Sequence, residues 1–369
     1  MKLNTAQDVE QSVKDINGMT GLTEVRLSGN TFGVEAARAI AEALSSQEQL
    51  KVAILSDMFT GRLKDEIPLA LDALVDALLN KKHLVELDLS DNAFGPAGAK
   101  PLMRLLTGNR GIQTLRLNNN GLGIEGGRLI AEALVKAQEL NVKEGRVPAL
   151  QVVVAGRNRL ESTGASHLAK AFEAFSESLH TVRMPQNSIR PDGIAVLVQS
   201  LKKCRLLEHL DLQDNTFTKE GSIPLANAVG QWPNLKVLNL ADCLLKPAGA
   251  CAILKGLAKG NNQLQHVNLS FNEISDKAAA YVPAMLANKT QLEAVLLNGN
   301  VFDAEGDAVG AIRRTLASLG KEDALDELDE MEEDEEEDEE EDWEADLDDA
   351  ILKDKAVDAL ADAIEKLGV

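Results

Sequence analysis

A Leu-x-x-Leu-x-Leu-x-x-Asn segment that returns at a near-constant interval, a Gly-bearing turn behind most copies, and an apolar stripe at helical spacing after each turn predict an α/β fold. They specify a solenoid of stacked leucine-rich repeats, with parallel strands inside and helices outside. Clear copies run over Leu22–Asn30, Leu84–Asn92, Ile112–Asn120, Leu207–Asn215, Leu264–Asn272 and Leu292–Asn300, and weaker ones end at Met58, Asn158, Asn187 and Cys243. The ten anchors are separated by 28, 34, 28, 38, 29, 28, 28, 29 and 28 residues, so the intervals of 34 and 38 carry insertions.

Within each unit the strand comes first. Side chains alternate along it, so in the third clear copy Leu115 and Leu117 point to the core while Arg116 and Asn118 face out on the concave side. The anchor Asn turns inward, where its amide satisfies backbone groups of the loop. Asn30, Asn92, Asn120, Asn215, Asn272 and Asn300 are structural on that ground, and Cys243 takes the same place. After the turn come stripes such as Ala36, Ala37, Ile40, Ala41 and Leu44, or Leu129, Ile130, Ala133 and Leu134, the pattern of an amphipathic helix. A single strand and helix cannot bury its own apolar face, so the units must stack, here into a ribonuclease-inhibitor-like horseshoe. The first insertion follows Gly61 and places Arg62 and Lys64 on an extra loop beside the strand ends, the side where repeat insertions commonly bind partners.

Composition sets the domain plan. The chain has 369 residues, 44% hydrophobic but only 3% aromatic, so the core is Leu, Ile, Val and Ala. Residues 322–349 hold 21 of the 59 acidic residues and no Lys or Arg; the remaining 38 acids balance 38 bases, although the whole chain carries a formal charge of −21. The expected organisation is a repeat domain over 1–321, about ten repeats plus an N-terminal cap, then a disordered acidic tail over 322–349 whose charges self-repel. Val357, Leu360, Ile364 and Leu367 mark a short amphipathic helix over 350–369. Cys204, Cys243 and Cys251 lack metal-ligand spacing and read as buried thiols of a reducing compartment. With no apolar leader and no run of about 18 apolar residues, an intracellular soluble protein is expected, with no membrane association.

The chain has no phosphate-binding Walker loop and no Gly-x-Ser-x-Gly elbow, and its five His residues do not fall in ligand-spaced pairs. An autonomous active site is therefore not expected, and the default reading is a protein-binding surface without cofactor, metal or nucleic acid. Its recognition edge is the column just before each anchor: Gly29, Asp57, Asp91, Asn119, Arg157, Gln186, Asp214, Asp242, Phe271 and Gly299. Those side chains have no duty in the loop and line one rim.

In chain order SDMFTGRLKDEIP, LSDNAFGP, NNNGLG, GRNRLE, QNSIRPDGI, LDLQDNTFT and the acidic tail resemble the Ran GTPase-activating proteins over about residues 20–340. The resemblance implies a protein, not itself a GTPase, that binds Ran in its GTP-bound form and completes a catalytic site belonging to Ran, which carries the GTP and Mg. It implies action by a rim Asn that helps position the catalytic Gln of Ran, without an arginine finger. Asn119 in NNNGLG matches that Asn, while Asn118 stands where relatives can have His. Arg62 and Lys64 match the family's basic loop and Asp214 a rim acid, with Asn30, Asp57, Asp91 and Arg157 as further candidates for the partner surface. Cytoplasmic location, a monomer, and accessory Ran-binding proteins as further partners also follow from the resemblance.

Two other classes share part of the pattern. A ribonuclease-inhibitor-like binding scaffold would share the period, but such scaffolds are Cys-rich and this chain has 3 Cys. An acidic-tail chaperone would share the tail, but that class generally has fewer and shorter repeats.

Overall fold

The computed structural model describes residues 1–332 and 347–354, and their contacts divide into two units, Met1–Asn187 and Ser188–Val369. The first contains β1 (Lys2–Leu3), α1 (Glu10–Gly18), β2 (Glu24–Arg26), β3 (Thr31–Phe32), α2 (Val34–Ser45), β4 (Val52–Ile54) and α3 (Glu66–Leu78). It continues through β5 (Glu86–Asp88), α4 (Gly95–Gly108), β6 (Thr114–Arg116), α5 (Gly123–Glu144), β7 (Val152–Val154), α6 (Glu161–Ala174) and β8 (Thr181–Arg183). The second contains α7 (Pro191–Leu201), β9 (His209–Asp211), α8 (Thr218–Ala228), β10 (Val237–Asn239), α9 (Lys246–Leu257) and β11 (His266–Asn268), then α10 (Asp276–Ala279), α11 (Val282–Leu286), β12 (Ala294–Leu296) and α12 (Asp307–Ser318).

In the first unit β2, β4, β5, β6, β7 and β8 lie side by side in parallel, and in the second β9, β10, β11 and β12 do the same. Parallel neighbours need a crossover, which each helix supplies. The register stacks the middle strand residues, Ala53 on Leu87 on Leu115 on Val153 on Val182, all 1% exposed or less. Burial of a Leu such as Leu115 contributes about 2 kcal/mol.

Two polar columns flank this apolar one. At the strand exits the anchor amides form a ladder: Met58 N–H donates to Asn92 Oδ1 (2.7 Å), Asn92 N–H to Asn120 Oδ1 (3.0 Å), Asn120 N–H to Asn158 Oδ1 (3.0 Å) and Asn158 N–H to Asn187 Oδ1 (3.0 Å). In the second unit Cys243 N–H donates to Asn272 Oδ1 and Asn272 N–H to Asn300 Oδ1. The Cys243 thiol takes the amide's donor role toward Leu212 O at 3.4 Å, and burial pushes its pKa up to about 12. The second column closes the helix C-termini, whose last carbonyls lack partners within the helix. Lys81 Nζ donates to Ser45 O (2.8 Å), Asn109 Nδ2 to Leu78 O and Lys81 O, Asn261 Nδ2 to Val229 O and Trp232 O, and Lys289 Nζ to Leu257 O and Gly260 O.

The long intervals take different forms. The interval of 34 is a loop before α3. That of 38 extends α5 to 22 residues, capped by Gly145, whose left-handed φ of 64° lets its N–H bond back to Asn141 and Val142 carbonyls. Between β11 and β12, Pro283 cannot donate into a continuous helix and the segment splits into α10 and α11.

The acidic segment departs from the charge-based expectation where it is described. Residues 322–332 are ordered against β12 rather than disordered: Leu325 bridges Val295 in parallel, and the Asp326 carboxylate accepts the N–H groups of Leu297 and Asn298 at 3.0 Å. Asn298 Nδ2 donates to Asp329, and Glu332 N–H donates to Asn300 O. An unpaired parallel edge attracts any segment that can satisfy its donors, and that outweighs repulsion among a few exposed acids. A helix over 347–354 also begins earlier than the apolar spacing from 350 suggests. Its Leu347 and Ile351 are buried among Ile223, Ala226, Cys251 and Ala252, while Asn227 and Lys255 bond Asp354 (2.6 Å) and Asp348 (2.8 Å). Residues 333–346 of the tail, and Val357, Leu360, Ile364 and Leu367 of the proposed helix, lie outside the described residues.

Candidate functional site: the rim beside the anchors

All ten residues of the column before the anchors have positive φ. The values run from 48° at Asp57 through 51° at Asn119 and 53° at Asp214 to 60° at Asp91, with 76° and 70° at Gly29 and Gly299. The strand must turn away while the next residue drives its amide inward, and a left-handed residue makes that bend in one step. Gly, Asn and Asp adopt it most easily, which explains why they fill most of the column. That composition was the legible signal for the backbone geometry, which the periodicity itself does not reveal. The less tolerant residues are Arg157, Gln186 and Phe271, at 54° to 56°. The Phe271 ring lies over Gly299, where a Cβ would come within 2.2 Å of it.

Backbone bonds hold these positions from the next repeat. Asp57 N–H donates to Ser90 O (3.0 Å), Asp91 N–H to Asn118 O (2.8 Å), Asn119 N–H to Gly156 O (2.9 Å) and Arg157 N–H to Pro185 O (2.9 Å). The rim thus presents exposed side chains from a stiff ladder, which places functional groups more accurately than a free loop does. Asn119 and its neighbour Asn120 divide the labour. Asn120 is fully buried in the ladder, whereas Asn119 is exposed, with its Nδ2 donating to Asp91 Oδ1 at 3.0 Å.

The other candidates sort by how much of each side chain is already engaged. Asn118 is half-buried and its Oδ1 accepts Gly156 N–H at 2.7 Å, so it fixes the turn beneath Asn119. Asp57 accepts the Thr60 hydroxyl at 2.6 Å, a local brace at the start of the inserted loop. Asn30 is not a rim residue: its Oδ1 accepts the Met1 amino group (3.1 Å) and its Nδ2 points at Leu27 O and Ser28 O. Lys64 and Arg157 are exposed and form no ion pair among the described residues. Asp214, in the second unit, is half-buried on its own rim.

Arg62 is the largest departure from expectation. Rather than extending into solvent, its guanidinium clamps the N-terminal cap. Nε donates to Thr31 Oγ1 (3.0 Å), one Nη to Asn4 Oδ1 (2.7 Å), and the other to Leu3 O (3.0 Å) and Thr31 O (2.6 Å). Four of its five N–H donors are thereby engaged. Gly33 leaves the room for this, since a Cβ there would sit 2.9 Å from Asn4 O and 3.1 Å from the Arg62 guanidinium. Sequence spacing could not show it, because Asn4 and Thr31 reach the loop only once β1 pairs with β3.

Among the described residues no group of three or more His, Cys, Asp or Glu is placed to hold a metal ion, and no helix is long and apolar enough to cross a membrane. The chemistry offered by the rim of the first unit is hydrogen bonding by a neutral amide, with charged contacts from Lys64 and Arg157; the rim of the second unit carries the carboxylate of Asp214.

Comparison with known proteins identifies the family. The Leucine Rich repeat family profile matches residues 19–41, 80–103, 203–226 and 260–282. Ran GTPase-activating protein 1 of Saccharomyces cerevisiae is 36% identical over 323 residues, 85% of this chain and 79% of the yeast protein. Ran GTPase-activating protein 1 of Xenopus laevis is 43% identical over 83% of this chain, and the Drosophila melanogaster Ran GTPase-activating protein 37% over 82%. The matches span 53% and 51% of those two longer relatives. By these repeats and this identity, the chain belongs to the Ran GTPase-activating protein family.

Proposed function

We propose that this chain is a GTPase-activating protein for the small GTPase Ran, which it binds in the GTP-bound form and on which it accelerates hydrolysis. The nucleotide and its Mg stay on the partner. The reading is supported by the family and carried by one observation: an exposed Asn119 held on a rigid left-handed backbone beside the buried Asn120. GTP hydrolysis in small GTPases is limited by alignment of the attacking water, which a Gln of the GTPase orients. A neutral amide at a fixed point can hydrogen-bond that Gln and hold it in its productive rotamer. The activator then supplies order rather than charge. The internal bonds of Arg62 fit a mechanism without an arginine finger from this loop.

Binding falls to the charged rim. Lys64 and Arg157 suit acidic groups of the partner, and Asp214 a basic one, through charge-assisted hydrogen bonds. Arg62 contributes through the loop that carries Lys64. The chain acts as a monomer in the cytoplasm, with accessory Ran-binding proteins as further partners. Scaffold and chaperone roles are not favoured beside relatives of this identity.

Single-turnover hydrolysis by Ran·GTP tests the proposal. Wild type at saturation should stimulate strongly, and Asn119→Ala should lose about 100-fold or more of the stimulated rate while affinity changes little. Equal losses of rate and affinity would sink the catalytic role of Asn119. No stimulation by wild type would sink the function.

A further inference from the structure

We infer that Asp91 is the positioning residue for Asn119, setting which end of its amide meets the partner; this rests on the function proposed above. The two occupy the same place in adjacent repeats, 28 residues apart, so the parallel register sets them side by side on the rim. Asn119 Nδ2 donates to Asp91 Oδ1 at 3.0 Å. Within the first unit no other pair of this column bonds side chain to side chain; the nearest comparison, Asp57, turns instead to Thr60 in its own loop.

The consequence follows from donor and acceptor chemistry. An exposed Asn amide unrestrained by neighbours exchanges its oxygen and nitrogen by rotation about the Cβ–Cγ bond, so a partner meets a mixture of two faces. An ionised carboxylate only accepts. It therefore selects the rotamer with Nδ2 toward Asp91 and leaves Asn119 Oδ1 directed away from it, available to accept an N–H from the partner's Gln. The backbones beneath cannot slip to undo this choice. Asp91 and Asn119 have φ of 60° and 51°, Asp91 N–H is bonded to Asn118 O, and Asn119 N–H to Gly156 O. Asn118 adds a third tie by accepting Gly156 N–H at 2.7 Å. Asp91 thus belongs to the orientation of Asn119 rather than to the set of direct partner contacts.

The test is a double-mutant cycle on the full chain, with single-turnover hydrolysis by Ran·GTP at saturating activator and affinity measured separately. Asp91→Ala should lower the saturating rate about 5- to 10-fold, the effect of one lost hydrogen bond, with affinity unchanged. Asp91→Asn keeps an acceptor oxygen but adds a donor, so it should fall between wild type and Asp91→Ala. In the Asn119→Ala background Asp91→Ala should cost nothing further, because the group it orients is gone. Ala costs roughly 1 kcal/mol at each of these left-handed positions, so stabilities from urea unfolding that fall no further than that show the fold intact. If Asn119→Ala is impaired while Asp91→Ala reaches the wild-type saturating rate, the positioning role is overturned and the function stands. A loss confined to affinity would likewise overturn it and return Asp91 to partner binding. If Asn119→Ala itself has the wild-type rate, the catalytic assignment fails, and this inference with it.

Discussion

Asn119 and Asn120 are adjacent and chemically identical, and the structure assigns them opposite sensitivities. Asn120→Ala should strongly destabilise the first unit. The Asn120 amide accepts Asn92 N–H at 3.0 Å and donates to Leu89 O (2.9 Å) and Leu117 O (3.0 Å), all buried. The three losses are unequal. Leu89 O keeps a donor in Asn92 Nδ2, and Leu117 O keeps one in Asn158 Nδ2, so each carbonyl forfeits about 0.5–1.5 kcal/mol. Asn92 N–H is left buried with no acceptor, at about 1–3 kcal/mol. The total is about 4 kcal/mol, a large fraction of the stability of an ordinary domain. Asn120→Asp separates hydrogen bonding from volume. It has the same size but cannot donate to the two carbonyls, so at neutral pH it should be at least as damaging as Ala. Urea unfolding followed by circular dichroism, extrapolated linearly, measures both against Asn119→Ala, which should lose only the roughly 1 kcal/mol that Ala costs at a left-handed φ. If Asn120→Ala matched wild type to that margin, or Asn120→Asp were as stable as wild type, the ladder would not hold the repeats together as argued.

Other outcomes follow from single contacts. Arg62→Ala should release the N-terminal cap, raising amide exchange in residues 1–4 and 31–33 by about 10-fold or more and weakening complex formation without the loss of saturating rate that marks a finger; a drop of about 10³ in that rate would contradict this. Leu347→Asp should detach the helix over 347–354 and uncover the Cys251 thiol, so that one thiol reacts with a disulfide reagent about 10-fold faster while Cys204 and Cys243 stay protected; unchanged reactivity would refute the docking. Burial holds the Lys289 ammonium down to about 8, so the unfolded chain binds its proton more tightly than the folded one between there and the ordinary lysine range. Stability should therefore rise as pH climbs from about 8 toward 10.5, and Lys289→Met should flatten that slope in urea titrations; a slope unchanged in the variant would refute the assignment.

The repeat, its anchors and the neutral body beside an acidic segment are all legible in the chain, because each repeats or accumulates along it. A three-residue strand such as Thr114–Arg116 needs only Leu115 at its centre and an Asn five residues on to declare itself, since seven of the nine intervals return the same demands after 28 or 29 residues. Asn119 could likewise be separated from Asn120 by position alone, given that the anchor must turn inward. What depends on side chains meeting across repeats could not be read this way. Arg62 looks like an exposed base until β1 pairs with β3 and brings Leu3, Asn4 and Thr31 around it. Residues 322–332 look like solvated charge until an unpaired strand edge offers Leu297 and Asn298 N–H groups to Asp326. The sequence by itself determined which residues recur, and so the solenoid and the rim column. Only the tertiary structure decided which polar groups that rim leaves exposed, because hydrogen bonds are settled by proximity in space, and a residue's partner in the next repeat is 25 or more positions away along the chain, as Asn120 is from Gly95.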